Sequence, residues 1–332
     1  MSIQSTADSP QGPLGFQHKK TQLMTTSPVL SVRNLYKRYD DFIAVADLSF
    51  EVFPGEIFGL LGPNGAGKTS TIRMLMDIFK PDAGEIELLG RPPGRSREQV
   101  GYLPEERGLY RDQKVQEVLV YLARLKGTDA ETARQRVDEW LERVELAEWA
   151  DKRVKELSRG MQQKVQFVAG LIHDPALLIL DEPFQGLDPV NVDLLKRLIR
   201  QLTADGKTVV LSAHQMNLVE ELCDRILLIN RGRAVLYGPL QQIKREYAPN
   251  AVRVRAQELP PDLPGVVHRE HNGDVSLLTL DGLSPQAFLA DLVARQVPVE
   301  SFEVASVPLN DIFVSVVQSG GSAAGAKSEA PG

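Results

Sequence analysis

Gly62-Pro63-Asn64-Gly65-Ala66-Gly67-Lys68-Thr69, with Ser70 behind it, has the residue types and the spacing G-x-x-x-x-G-K-[ST] of a phosphate cradle. Its glycines let consecutive backbone N–H groups turn inward on an anion, and a helix starting at its end adds a positive pole. In that geometry Lys68 reaches the β- and γ-phosphates of a nucleotide, and the Thr69 hydroxyl ligates Mg²⁺. A second stretch, Leu177-Leu178-Ile179-Leu180-Asp181-Glu182, ends an apolar run in two carboxylates. At the carboxyl end of a buried strand, Asp181 could hold a metal-bound water and Glu182 could accept a proton from an attacking water. A strand ending in solvated acids is common by itself. Beside a complete phosphate loop, the pair points to nucleotide hydrolysis.

The surrounding pattern predicts the elements that would position these stretches. The apolar run Ile57–Leu61 reads as a strand feeding the loop, and helical periodicity follows through Met74, Leu75 and Ile78, ending before Pro81. Leu30 to Val52 reads as strand formers broken by a polar turn at Asp40 and Asp41. Between about Arg111 and Glu156 the chain turns helical and charged, with Val118, Leu119, Leu122, Leu125, Val137, Leu141, Val144 and Leu146 as its apolar positions. Pro175–Leu180 and Thr208–Leu211 are short buried-type strands on either side of a helical stretch, Val190–Leu202. Strands alternating with helices predict an α/β architecture, a parallel sheet covered on both faces, with the helical block at about 111–160 as an insertion.

From 247 to 317 the character changes to a small α+β domain. Short strands at 251–256, 265–268, 275–280 and 299–304 accompany helices at 285–295 and 309–317. Val252, Val254, Val275, Leu277, Phe302 and Val304 mark its core faces, and the closing stripe Ile312, Phe313, Val316 and Val317 suits either that core or a partner. Residues 1–28 are rich in Ser, Thr, Gln and Pro and lack the apolar segment of a secretory signal; they read as a disordered extension. Residues 318–332 read as a flexible tail.

Composition bounds the partners. The 332 residues leave room for a large domain and a smaller one. With 42% apolar and 25% charged residues, the chain sits in the soluble globular range. A formal charge of -6 gives no reason to expect nucleic acid. Cys223 stands alone, so no intrachain disulfide forms. No apolar run approaches the roughly 18–20 residues that span a bilayer. Membrane work would need another chain.

Further motifs make the resemblance specific. From about Val29 to Tyr237 the chain resembles the ABC transporter ATPase family, a P-loop NTPase cassette over 29–240. Leu157-Ser158-Arg159-Gly160-Met161-Gln162-Gln163 resembles the family's signature loop, and Pro183 to Asp188 resembles the loop that touches the opposite subunit. His214 resembles the γ-phosphate-sensing switch histidine, and Tyr39 the aromatic that stacks on adenine. A lone His or Tyr is more often structural; the family order of the motifs argues otherwise here. The resemblance implies ATP and Mg²⁺ as cofactors, Glu182 as general base with Lys68 and His214 at the phosphates, and Thr69 and Asp181 on the metal side. It also implies head-to-tail pairing of two cassettes, ATP lying between the phosphate loop of one and Ser158 and Gly160 of the other. A separate integral-membrane permease and a peripheral place on the cytoplasmic face follow from it.

Two departures stand out. The signature normally carries Gly-Gly and Gln where this chain has Arg159-Gly160 and Met161, so one contact across the pair is in doubt. Gly101-Tyr102-Leu103-Pro104-Glu105 carries Glu105 where the family has a metal-sensing glutamine. A carboxylate there adds negative charge near the phosphates unless Mg²⁺ or Arg107 offsets it, with Glu105 itself a further candidate metal ligand; a tolerated variant on a mobile loop is the other reading. Both variants, and the terminal Pro308-Leu309-Asn310-Asp311-Ile312-Phe313, resemble the ATPases of type-2 exporters. The rival is a soluble ABC ATPase acting as a mechanical switch on ribosomes or DNA. Such members usually have two cassettes in one chain or a long coiled-coil insertion.

Overall fold

The structure, a computed structural model, describes residues 27–318 apart from 107, 249 and 257. The expected extension and tail therefore lie almost wholly outside the described residues, as does Arg107. In chain order the elements before the C-terminal region are β1 (Leu30–Tyr39), β2 (Phe42–Val52), β3 (Ile57–Leu61), α1 (Lys68–Leu75), β4 (Ala83–Leu88), β5 (Val100–Leu103), α2 (Val115–Leu125), α3 (Ala130–Arg143), α4 (Arg159–Leu171), β6 (Leu177–Leu180), α5 (Pro189–Ala204), β7 (Thr208–Ala213), α6 (Met216–Leu222), β8 (Arg225–Asn230), β9 (Arg233–Pro239) and α7 (Leu240–Tyr247).

The central sheet runs β5-β6-β7-β3-β8-β9. Its first five strands are parallel, and β9 closes the edge antiparallel to β8. A parallel sheet must be covered on both faces, and alternate residues of each strand show how. Phe58, Leu60, Leu177, Ile179, Val210 and Leu227 join one core with α1 and the antiparallel sheet β2-β1-β4. Ile57, Leu61, Leu178, Leu180, Val209, Leu211 and Ile226 join the other, which extends through α4, α5 and α6 into the α2–α3 insertion.

One local prediction shifts and another holds. Helix α1 closes at Leu75 rather than near Ile78: Asp77 takes a left-handed φ of 59°, Ile78 N–H folds back to the Arg73 carbonyl at 2.9 Å, and Ile78 is left exposed. The turn at Asp40 is real, with φ 48° and Tyr39 paired to Phe42 across it.

Beyond α7, the strands β10 (Ala251–Ala256), β11 (Val266–Asn272), β12 (Val275–Leu280) and β13 (Val299–Val304) form an antiparallel sheet, β11-β12-β10-β13, with α8 (Pro285–Ala294) and α9 (Leu309–Gln318). The register sets Val254 opposite Ser276 and Val252 opposite Leu278. The core face of β12 is therefore Ser276, Leu278 and Leu280, not the predicted Val275 and Leu277, and Val304 is exposed. Phe288 and Leu292 of α8 complete this core. Helix α9 leaves it. Leu309 and Ile312 are buried against the larger core around α6, and the Leu309 N–H donates to Glu220 Oε2 at 3.1 Å. Lys244 pairs with the other oxygen of the same carboxylate.

Candidate active site

Parallel pairing lines up strand ends. Leu61 stands beside Ala213, Leu211 beside Leu180, and Leu180 beside Leu103, so β3, β7, β6 and β5 all finish along one edge. There the glycine-rich loop leaves β3, Asp181 leaves β6, His214 leaves β7 and the Glu105 segment leaves β5. Ligands bind at this edge in such sheets because the loops open there and helix N-termini face them. A cavity of about 230 Å³ lies on it, lined by Phe42, Ala44, Pro63 to Ser70, Glu105 and Glu182. A larger cavity of about 520 Å³ in the C-terminal domain mixes Arg255, Arg269 and His271 with Glu258, Asp274 and Glu300. It has no strand-end acid pair and no phosphate loop.

Backbone geometry explains the two loop glycines that matter most. Gly62 (φ 150°) and Gly67 (φ 110°) pass so close to neighbouring chain that a Cβ would sit 2.2 Å from the Ile229 carbonyl oxygen and 2.3 Å from that of Ala44. No side chain fits either place. Lys68 is buried: its Nζ donates to the Gly62 and Pro63 carbonyls at 2.8 and 3.3 Å and stands 3.5 Å from Glu182 Oε1.

Asp181 is 0% exposed. Ser212 Oγ donates to its Oδ1 at 2.6 Å and accepts the Glu182 N–H at 2.9 Å, a single hydroxyl that ties both acids to β7. Asp181 Oδ2 has no hydrogen-bond partner. Burial pushes the Asp181 carboxyl above the usual range, Glu105 and Glu182 push it further, and the Ser212 and Thr69 hydroxyls pull it back. An orphaned carboxylate oxygen, a nearby hydroxyl and surplus negative charge fit a small hard cation such as Mg²⁺. No group of three or more His, Cys, Asp or Glu among the described residues forms a metal centre by itself, so phosphate oxygens and water would complete the coordination.

Glu182 holds a left-handed φ of 50°, rare for a residue with a side chain. Its Oε2 lies 2.9 Å from His214 Nδ1, and the His214 side chain is 41% exposed. The acid is thus held between a buried lysine and an accessible histidine.

The other candidates lie apart. Tyr39 packs edge-on against Phe79 at 6.0 Å with Lys37 over its ring, and the aromatic that lines the cavity is its hairpin partner Phe42. Ser158 is exposed at the start of α4, where its Oγ accepts the Met161 N–H at 3.3 Å. Gly160 lies beside Leu187 and Asn191. Asp188 caps α5 and accepts from the Asn191 N–H at 3.0 Å, a bond that holds its carboxyl below the usual range. Ser158, Gly160 and Asp188 therefore share a neighbourhood that is not the cavity of their own chain.

A family model described as ABC transporter matches residues 45–185. An ABC transporter ATP-binding protein of Methanocaldococcus jannaschii is 44% identical over 253 residues, 75% of this chain and 93% of that one. Another, YhaQ of Bacillus subtilis, is 39% identical over 297 residues, 87% of this chain and 98% of its own. The chain belongs to the ABC transporter ATP-binding proteins. Its cassette also superimposes on a solved ATP-binding subunit of an ABC transporter with a TM-score of 0.62 at 31% identity, covering 66% of this chain and 93% of that one. CbiO1 of Clostridium perfringens, part of the ABC transporter complex cbiONQ, gives 0.59 at 28%, over 66% and 91%. Residues 238–317 match the C-terminal domain of DrrA1-3-like ATP-binding proteins. The Nod factor export ATP-binding protein I of Burkholderia pseudomallei is 43% identical over 251 residues, 72% of this chain and 82% of that protein.

Sequence reasoning missed Ser212, Phe42, Gln163 and Gln166. Gln163 and Gln166 are buried amides on α4 that donate to carbonyls of the two acidic loops. A glutamine inside a helix whose neighbours are apolar was the available signal. Its destination was not.

Proposed function

We propose that this cassette binds ATP with Mg²⁺, hydrolyses it between two paired cassettes, and so drives a separate membrane permease, most simply an exporter. The observation that carries the reading is the strand-edge cluster: Lys68 in its cradle, Asp181 with a bare oxygen, and Glu182 held by His214. Bound Mg²⁺ would neutralise phosphate charge and orient the β- and γ-oxygens. Lys68 would exchange its carbonyl partners for phosphate oxygens. Glu182 would take the proton of the attacking water, and His214 would donate from Nδ1 to steady the carboxylate while its exposed edge faces the γ-phosphate. Ser158 and Gly160, remote from the cavity of their own chain, would complete that of a second cassette, and Tyr39 or Phe42 would meet the base.

The export direction draws on the relatives named for Nod factor export, the matching C-terminal domain and the variants Glu105 and Arg159-Gly160-Met161. Among the described residues no helix is long and apolar enough to cross a membrane, so the permease would be another chain and this one peripheral on the inner face. The exposed pair Tyr110 and Tyr121, stacked edge-on just beyond the Glu105 segment, offers that permease an aromatic contact.

Glu182→Gln keeps shape and loses the base. ATP should still bind while steady-state hydrolysis falls by roughly 10²-fold or more. Wild-type turnover in that variant removes Glu182 from the role.

A further inference from the structure

Helix α4 begins beside Ser158 and, one and two turns later, buries two glutamines at 3% and 4% exposure. Gln163 Nε2 donates to the carbonyl of Pro183, the residue after Glu182, at 3.2 Å. Gln166 Nε2 donates to two carbonyls, Pro104 at 3.2 Å and Glu106 at 3.0 Å. These flank Glu105. A grip on both sides of one residue holds its backbone in place, and Glu105 lines the phosphate cavity.

The amide's orientation is determined by chemistry. Reversed, it would set Gln166 Oε1 against two carbonyl oxygens, acceptor against acceptor. As it stands, Oε1 has no partner. A buried amide with one orphaned atom is an expensive choice at a position where Leu or Met would pack, unless the two donated bonds are needed.

We propose that Gln166 is a positioning residue for Glu105, and that α4 thereby joins the Ser158 end, which meets the opposite cassette's nucleotide, to the metal side of its own cavity. The proposal rests on the ATP and Mg²⁺ reading above. Closure at Ser158 would be felt at Glu105 through helix α4.

Gln166→Met keeps length and bulk and cannot donate. Gln166→Leu is the second variant should that one fold poorly, as judged by its circular dichroism. Backbone conformational exchange at Glu105 and Glu106, read by NMR relaxation dispersion, should quicken about tenfold in nucleotide-free protein, with β6 and β7 unchanged. The Mg²⁺ concentration for half-maximal ATP hydrolysis should rise roughly tenfold, the usual scale for losing a group that orients a ligand. In a Glu105→Ala background the same substitution should leave the Mg²⁺ requirement where Glu105→Ala alone puts it. Unchanged exchange overturns the grip. Quickened exchange with an unmoved Mg²⁺ requirement, or a shift that persists without Glu105, makes Gln166 merely structural and overturns the proposal. A wild-type protein that neither binds nor hydrolyses ATP sinks the functional reading instead, while the exchange result still reports the grip.

Discussion

Asp181 carries one satisfied oxygen and one bare one inside a fully buried strand end, with Glu105 and Glu182 adding to its field. Burial raises its folded pKa above the unfolded value, so the folded protein binds the proton more tightly. Its contribution to stability is present at low pH and is lost as pH rises through the folded pKa. Asp181→Asn removes the charge, and its side-chain oxygen still accepts from Ser212. Without nucleotide, this variant should melt higher than wild type at pH 7, by roughly 2–4 °C for each kcal/mol of relief. The gain should shrink as pH falls through the raised folded pKa, where the wild-type carboxyl takes up its proton. Mg-ATP should raise the melting temperature of wild type and not of the variant. Thermal unfolding across pH checks both, and a variant less stable than wild type at pH 7 would contradict the field described here. Lys68, Thr69, Asp181 and Glu182 were legible in the sequence because their spacing is local. Ser212 was not, since its two bonds exist only because β7 pairs beside β6.

Elements divide in the same way. The strand–loop–helix from Ile57 to Leu75 is written in contiguous residues, and so is the helical insertion, where apolar spacing follows α2 and α3. The end of α1 depends on a left-handed Asp77, and the core face of β12 on cross-strand register; neither has a periodic signal. Helix α4 separates two roles that a motif search would merge. Lys68 lines the cavity of its own chain, whereas Ser158 is exposed on a different neighbourhood. Lys68→Ala should therefore abolish ATP binding. Ser158→Arg should leave binding within a few-fold of wild type and stop hydrolysis, because on the pairing proposed above a bulky cation would stand where a second cassette closes. Equilibrium binding of a fluorescent ATP analogue, set against turnover, distinguishes them. Equal loss of affinity in both would return Ser158 to the same-chain site.

For the whole molecule, α9 and Val307 just before it pack the C-terminal region against the cassette. Leu309 and Ile312 leave their own domain and bury on α6, each contributing about 1.5–3 kcal/mol, while Glu220 holds the α9 N-terminus and Lys244 together. Helix α6 starts two residues after His214, so the α9 contact adjoins the segment that carries His214. The family resemblance suggests that the domain helps two cassettes pair, which is the role proposed for it here. A truncation that tests it must keep α7, because Leu240 and Ile243 are buried in the cassette core and their loss would damage the cassette itself. Ending the chain after Tyr247 satisfies that. Every residue lining the phosphate cavity remains, so ATP affinity should stay near wild type. Two cassettes without the domain should associate more weakly, and specific ATPase activity should be several-fold lower at low protein concentration and recover as concentration rises. Wild type should reach its plateau earlier in the same titration. Superimposable concentration curves for the two proteins would leave the domain without a part in pairing.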